Sequence, residues 1–209
     1  CPKPWIAELI HQWENEKQPK SENWIYKREP FASDIHEGKG DSLYNIHPYH
    51  TKVPPKAIMR FILNYTDPGD IVLDSFCGSG MTGIACQLCG DENVLKDMGY
   101  VVDEDGIIFR RETNYSGVEE LISFSKIGER KAILYDLSPE ASFVSFNHNT
   151  PVDSRIFSEI TNEIMRKVEQ EIGYLYTTKT ANGLQGIINY VVWSDIIICD
   201  ECGNEFVLY

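Results

Sequence analysis

Positive charge is what this sequence has least of. Its 19 Lys and Arg face 32 Asp and Glu, a formal charge of −13. Non-specific DNA binding rests on neutralising phosphates with Lys and Arg, so this balance argues against the chain holding DNA unaided. It leaves open a nucleic-acid enzyme whose basic recognition part lies elsewhere. Long hydrophobic runs are also missing. None approaches the roughly 18 residues that read as a bilayer span, and no secretory leader is visible, so no membrane partner is expected. Cysteine is sparse. The six cysteines, at positions 1, 77, 86, 89, 199 and 202, are too few and too irregular to scaffold 209 residues, which points to a reducing cytoplasm. No Gly-Lys-Ser/Thr follows the glycine cluster, which excludes a P-loop.

What is present reads as a globular chain with a real core: 42 % of residues are hydrophobic and 24 % charged, near the average for soluble domains. Apolar residues at Trp5, Ile6, Leu9, Ile10 and Trp13 predict a helix over 4–17. A helix over 56–65 follows Pro55, a helix-start residue, and ends at the turn Asp67-Pro68-Gly69. Residues 71–74 form a short apolar strand, 78–80 a glycine turn, and 81–89 a helix. The polar stretch 90–128 reads as an insertion rather than core, with a strand pair near 100–102 and 107–109 joined by Asp103-Glu104-Asp105-Gly106. A second buried strand, 131–135, ends at Asp136. Helices over 139–147 and 153–173 come next, the latter striped by Ile156, Ile160, Ile164, Val168 and Ile172. Residues 187–198 are β-branched and aromatic and lead into Cys199-Asp-Glu-Cys202-Gly. Alternating strands and helices predict a parallel α/β sheet. The chain opens at Cys1 without Met and stops in strand-like sequence at Tyr209, which reads as a fragment.

The strand, glycine turn and helix of 71–89 carry the chemistry. Such a turn presents free backbone N–H groups and a positive helix end to a ligand. Gly78-x-Gly80-x-x-Gly83 matches the dinucleotide fingerprint, a weak signal alone. A pyrophosphate disfavours a carboxylate at the loop mouth, where Asp74 stands; an acid there suits a cation such as the amino group of a methionine moiety. Asp136, at the end of the second strand, is placed to accept hydrogen bonds from a ribose. An ordinary strand–turn–helix connection is the bland alternative.

The run NIHPYHTKVPPKAIMRFILNYTDPGDIVLDSFCGSGMTGIA, residues 45–85, resembles the DNA amino-methyltransferases, which methylate the exocyclic nitrogen of adenine or cytosine. Three features carry the resemblance: His47-Pro48 with Lys52, the turn Pro68-Gly69-Asp70, and the loop from Asp74 through Ser75, Phe76 and Cys77 to Gly78 and Gly80. ILYDLSPEASFVSFN is similar to the family's second cofactor strand. Ser75 replaces the family's proline, and Lys52 lies one residue further from His47-Pro48 than is common. The resemblance implies a Rossmann-like, S-adenosylmethionine-dependent methyltransferase fold, here partial. It implies that Asp74, Gly78 and Gly80 hold the methionine end, with Ser75 and Phe76 in the same loop. Asp136 would take the ribose hydroxyls, and the 47–53 segment, with His47, Lys52 and Val53, would close over the cofactor. For His47 and His50 a structural hydrogen-bonding role competes with ligand contact. Met81 and Thr82 are expected to start the helix, reaching a ligand through backbone only.

The family's catalytic (Asp/Asn/Ser)-Pro-Pro-(Tyr/Phe) loop, which holds the base flipped from the duplex, is missing. The one Pro-Pro pair, Pro54-Pro55, lies between Val53 and Lys56. No catalytic residue is therefore assigned; the loop is expected beyond residue 209 or absent, and the fragment alone is expected not to turn over. Cys199-Asp-Glu-Cys202-Gly has the look of a zinc knuckle, one half of a four-ligand site, and some relatives carry a CxxC…CxxC zinc ribbon there. A site shared with Cys86 and Cys89 is a weaker alternative, because their helix face should pack on the sheet. Cys1 and Cys77 read as structural.

The expected layout is an N-terminal extension over 1–44, a methyltransferase core over 45–175 with the insertion at about 90–128, and a β-rich, zinc-ribbon start over 185–209. DNA is the expected partner of the full-length protein, in a restriction-modification setting. Rival readings are a nicotinamide-dependent oxidoreductase and a non-catalytic methyltransferase-like module that binds DNA or protein.

Overall fold

The structure is a computed structural model and describes residues 5–17, 19–20, 22–35, 40 and 42–207. The chain divides into two compact units, 1–151 and 152–209. The division falls before the long helix of 154–172, whereas the sequence reading carried the core on to residue 175. Cys1 lies outside the described residues.

In the first unit, helix α1 (Trp5–Glu16) and a single turn, α2 (Ser42–Asn45), precede helix α3 (Pro55–Tyr65). Pro55 starts α3, where its missing N–H costs nothing. Thr66 ends it, its hydroxyl donating to the Ile62 carbonyl at 2.6 Å. The turn that follows is closed by Asp70, whose carboxylate accepts the Asp67 N–H at 2.8 Å. Strand β1 (Ile71–Asp74), the glycine loop and helix α4 (Met81–Leu88) come next, then helix α5 (Glu92–Asp97), capped by the Asp91 carboxylate. Strands β2 (Val101–Val102), β3 (Ile107–Thr113) and β4 (Glu119–Lys126) form an antiparallel meander in that order. Strand β5 (Lys131–Leu134) then pairs in parallel with β1, Ile71 opposite Lys131 and Asp74 opposite Leu134. Helix α6 (Pro139–Asn149) completes the unit, its N-cap Ser138 accepting the Ala141 N–H at 3.2 Å.

The core draws on every layer of this unit. Met59, Ile62 and Leu63 of α3 meet Ala85 and Cys86 of α4, Cys89 just beyond it, Leu95 of α5 and Ile108 of β3. The stretch 90–128 is thus not a loop laid over a finished core: Leu95 and Ile108 are fully buried within it. Its polar composition conceals this because β4 is exposed over most of its length.

Arg130, between β4 and β5, is 2 % exposed. Its Nε donates to Thr66 Oγ1, one terminal nitrogen to the carbonyls of Lys126 and Gly128, and the other to the Thr66 carbonyl and Ser125 Oγ. All five guanidinium donors are used. Ser125 Oγ in turn donates to the Leu63 carbonyl at 2.8 Å, and the Arg130 N–H donates to the Cys86 carbonyl at 3.0 Å.

In the second unit, helix α7 (Ser154–Ile172) is capped by the Asp153 carboxylate, which accepts the N–H groups of Arg155 and Ile156 at 2.9 and 3.1 Å. A 3₁₀ turn at Gly173–Tyr176 leads to the hairpin of β6 (Thr177–Lys179) and β7 (Gln185–Ile187), then that of β8 (Ile196–Ile198) and β9 (Glu205–Val207). The α7 stripe from Ile156 to Ile172 is exposed throughout. Of the β-branched and aromatic stretch 187–198, only the two ends are strand, in β7 and β8.

Two predictions follow from the first unit's core. Arg130→Met leaves the Thr66, Lys126 and Gly128 carbonyls short of donors; the expected cost is about 3–5 kcal/mol, read from urea unfolding by circular dichroism. Burial pushes the Cys86 and Cys89 thiols up from 9.0 to about 12 and about 11. The unfolded chain ionises these thiols first, so their contribution is full below about pH 9 and is lost as pH rises toward the folded values. The urea midpoint is expected to fall across that window in the parent chain and to flatten in Cys86→Ala/Cys89→Ala; an equally steep fall in both rejects the assignment.

Candidate functional site

The parallel pairing of β1 with β5 sets two acids at neighbouring strand ends. Asp74 closes β1, and Asp136 lies two residues past β5. The Tyr135 N–H donates to the Asp74 carbonyl at 2.8 Å, and the Cys77 N–H to the Tyr135 carbonyl at 2.9 Å. The chain following β5 is thereby stitched to the loop.

Each carboxylate organises backbone. Asp74 accepts the Phe76 N–H at 3.1 Å and the Thr82 hydroxyl at 2.5 Å, tying the strand end to the first turn of α4. Asp136 accepts the Gly78 N–H at 2.8 Å and the Ser138 N–H at 2.9 Å. The N–H groups of Ser138 and Gly78 hold its carboxyl below the usual carboxylate range. A carboxylate has about four acceptor sites, so Asp136 keeps capacity for a ligand's hydroxyls.

The glycines have separate reasons. Gly78 and Gly80 both have positive φ, +52° and +80°. A Cβ at Gly78 would stand 3.0 Å from the Tyr49 ring, and one at Gly80 or Gly83 would run into Ser145 or Asn149 of α6. Asn149 donates to the Gly80 carbonyl at 3.0 Å, and His148 Nδ1 lies 2.9 Å from the Ser79 carbonyl, as its donor. Cys77 is buried, its thiol 3.6 Å from Ser145 Oγ; burial pushes its pKa up, consistent with the structural role read from the sequence.

A small cleft of about 110 Å³ lies against this loop, walled by Asp74, Phe76, Cys77, Gly78, Ser79, Met81 and Thr82 on one side and Tyr49, Thr51, Lys52, Val53 and Ile58 on the other. Of the residues singled out in the sequence, Lys52, Val53, Asp74, Phe76 and Gly78 therefore face one space. Asp136 joins them through Gly78. Gly80 is buried behind, as the N-cap of α4, and Ser75 is exposed. His47 lies beside His148, ring centroids 6.3 Å apart, and its Nδ1 is buried without a hydrogen-bond partner. Ser79 Oγ is likewise buried and unpartnered. The Lys52 ammonium turns back onto its own segment, donating to the Tyr44 and His47 carbonyls and lying 4.3 Å from the Tyr44 ring centroid. Thr82, expected at the helix start, also ties its side chain to Asp74. Tyr49, Ser79, His148 and Asn149 escaped the sequence reading, the last two for want of any motif spacing.

The knuckle is a tight β8–β9 turn. Cys199 N–H donates to the Asn204 carbonyl and Gly203 N–H to the Cys199 carbonyl, both at 2.9 Å. The N–H groups of Cys202 and Glu201 lower the Cys199 thiol pKa. Among the described residues no group of three or more His, Cys, Asp or Glu gathers as a metal site. Cys86 and Cys89 are sealed in the core of the first unit at 1 % and 0 % exposure. Also among the described residues, no helix is long and apolar enough to cross a membrane.

Over 52 residues the chain is 35 % identical to the type II methyltransferase M.MjaII of Methanocaldococcus jannaschii, covering 25 % of this chain and 10 % of that protein. Over 84 residues it is 37 % identical to the type II methyltransferase M.XycI of Xanthomonas campestris pv. cyanopsidis, covering 35 % of this chain and 27 % of that protein. The chain thus spans about a tenth and about a quarter of these two relatives. No solved structure matches it. The DNA methylase family model matches residues 3–147, which include α3, both acids, the glycine loop and nearly all of α6, and the chain belongs to that family.

Proposed function

We propose that this chain forms the S-adenosylmethionine-binding part of a DNA methyltransferase acting on an exocyclic amino group of adenine or cytosine, on a Rossmann-like scaffold. The observation that carries the reading is the pair of strand-end carboxylates, Asp74 and Asp136, bridged by the backbone of one glycine loop. Two acids suit a ligand with an ammonium at one end and ribose hydroxyls at the other. A pyrophosphate between them would meet like charge, which disfavours the nicotinamide alternative, as does membership of the DNA methylase family.

The residues present fit such a cofactor. Asp74 would take the amino group, Asp136 the ribose hydroxyls, and the buried, unpartnered Ser79 hydroxyl stands ready within the cleft wall. When bound, S-adenosylmethionine supplies an electrophilic methyl group. What this chain contributes is position and exclusion of water. Thr82 holds the Asp74 carboxylate, while His148 and Asn149 fix the loop from behind. The cleft of about 110 Å³ falls short of the roughly 300–1,000 Å³ of small-molecule pockets. The 47–53 segment, with Tyr49 against Gly78, is thus drawn as a cover that must withdraw to admit the whole cofactor. Lys52 serves that segment by holding its carbonyls together. DNA is the partner in this reading, a restriction-modification system the setting and a reducing cytoplasm the compartment, which the free thiols of Cys77, Cys86, Cys89, Cys199 and Cys202 suit.

Calorimetry with S-adenosylmethionine and NADH decides between the enzyme classes. Binding of the former, lost in Asp74→Ala and weakened at least about tenfold in Gly80→Ala, is expected; binding of NADH alone overturns the proposal. With no Pro-Pro-aromatic loop in the sequence, labelled cofactor and duplex DNA are expected to give no methyl transfer by this chain.

We further propose that Cys199 and Cys202 supply two of the four sulfur or nitrogen donors of a zinc site. The carrying observation is their shared tight turn, closed by the Cys199 N–H on the Asn204 carbonyl and the Gly203 N–H on the Cys199 carbonyl. Cobalt(II) titration is expected to raise a thiolate charge-transfer band that vanishes in Cys199→Ser; a spectrum without that band sinks the idea.

A further inference from the structure

Helix α7 turns its longest apolar row outward. Ile156, Ile160, Ile164, Val168 and Ile172 recur every four residues and are all exposed, Ile164 by 54 %. The row is symmetric about Ile164, with Ile160 and Val168 four residues to either side and Ile156 and Ile172 eight. Steps of four residues make one continuous ridge that winds slowly around a helix. The two halves of this ridge differ in relief. Toward the C-terminus Met165, Val168 and Ile172 line a hollow of about 710 Å³ together with Tyr176, Ile187 and Ile188. Toward the N-terminus Ile156, Phe157 and Ile160 project outside that hollow, each about half exposed. A knob and a hollow thus lie on one ridge, roughly 15 Å apart along the axis.

We propose that α7 pairs with the α7 of a second copy of this chain, the two ridges running in opposite directions across a two-fold axis at Ile164. A two-fold interface is isologous: where residue i meets residue j, j also meets i. Reversal about Ile164 sets Ile160 against the partner's Val168 and Ile156 against the partner's Ile172. Each knob therefore meets the other copy's hollow, and one operation fills both. Two ridges of this kind nest side by side when their helices cross at about −50°. Charge agrees with the pairing. The chain carries −13, yet the charges of α7 nearly cancel, with three basic residues against four acidic. Arg155, Glu159, Arg166 and Glu169 lie about 140° or more around the helix from Ile164, away from the contact. Lys167 and Glu171 are nearer, and Lys167 is paired with Glu163 at 2.7 Å. Reversal places these two opposite Thr161 and Phe157, so no like charges meet. Parallel pairing in register would set Lys167 on Lys167 and Glu171 on Glu171, which is unfavourable.

The inference uses no residue of the cofactor cleft and stands apart from the methyltransferase reading. Sedimentation velocity of the full chain is expected to show a species of twice the 23.9 kDa of one chain at micromolar concentration. Added salt is expected to strengthen it, because screening relieves the repulsion between two acidic chains while the apolar contact persists. Ile164→Glu brings two carboxylates together at the axis and is expected to weaken association at least about a hundredfold. Asn162→Glu adds the same charge about 160° around the helix and is expected to leave association unchanged. Both positions are exposed, so circular dichroism is expected to show the parent's helix content in each variant. The sense of pairing has its own test. Ile160→Glu and Val168→Lys are each expected to weaken the dimer, and combining them in one chain to recover at least about tenfold. Reversal joins the new carboxylate to the new ammonium, whereas parallel copies would oppose like charges. A monomer at every concentration, a dimer indifferent to Ile164→Glu, an equal loss in Asn162→Glu, or no recovery in the double variant overturns the proposal.

Discussion

One buried cation decides where the two acids of the site can stand. Arg130 spends every donor on groups from the end of α3, the end of β4 and the turn between β4 and β5, while its own N–H meets α4. A guanidinium removed from water is tolerated only where its hydrogen bonds are replaced one for one, and so this neighbourhood has little freedom to shift. Strand β5 starts at the next residue. Its register against β1, and with it the placing of Asp136 near Asp74, begins from this fixed point.

The glycine pattern takes on a different meaning in that frame. The Gly-x-Gly-x-x-Gly spacing invites an explanation by ligand phosphates, yet Gly80 and Gly83 are small because α6 presses on them through Ser145 and Asn149. Gly78 is small beneath Tyr49. Packing of two helices and a covering segment against one loop reproduces a dinucleotide-like spacing with no dinucleotide. In the proposed reading the ligand information lies in the carboxylates instead.

Much of the first unit is legible from sequence because its signals are local. The strand 71–74, its glycine turn, the helix beginning at Met81, and the second strand before Asp136 each declare themselves within a few residues. The cap at Ser138 does the same. What escaped was relational. Strand β4 is mostly exposed, with its acidic start at Glu119 and Glu120, and it shows as a strand only through its pairing with β3. His148 and Asn149 reach the loop from 69 residues away, a distance over which no spacing rule operates. The α7 stripe taught the reverse lesson. Its periodicity announced a helix correctly, but in this structure the stripe remains exposed.

The parallel strands β1 and β5 are neighbours in space but separated by α4, α5 and the entire meander. Long loops are entropically expensive to close and slow a fold that depends on them. The meander answers that difficulty from within. Its turns are tight and self-bonded, Asp103 holding the β2–β3 turn and Asn114 the β3–β4 turn through their own side chains. With its strands paired, the meander shortens the tether that lies between β1 and β5. A segment resembling a decoration thus sets the distance over which the strand pair must close.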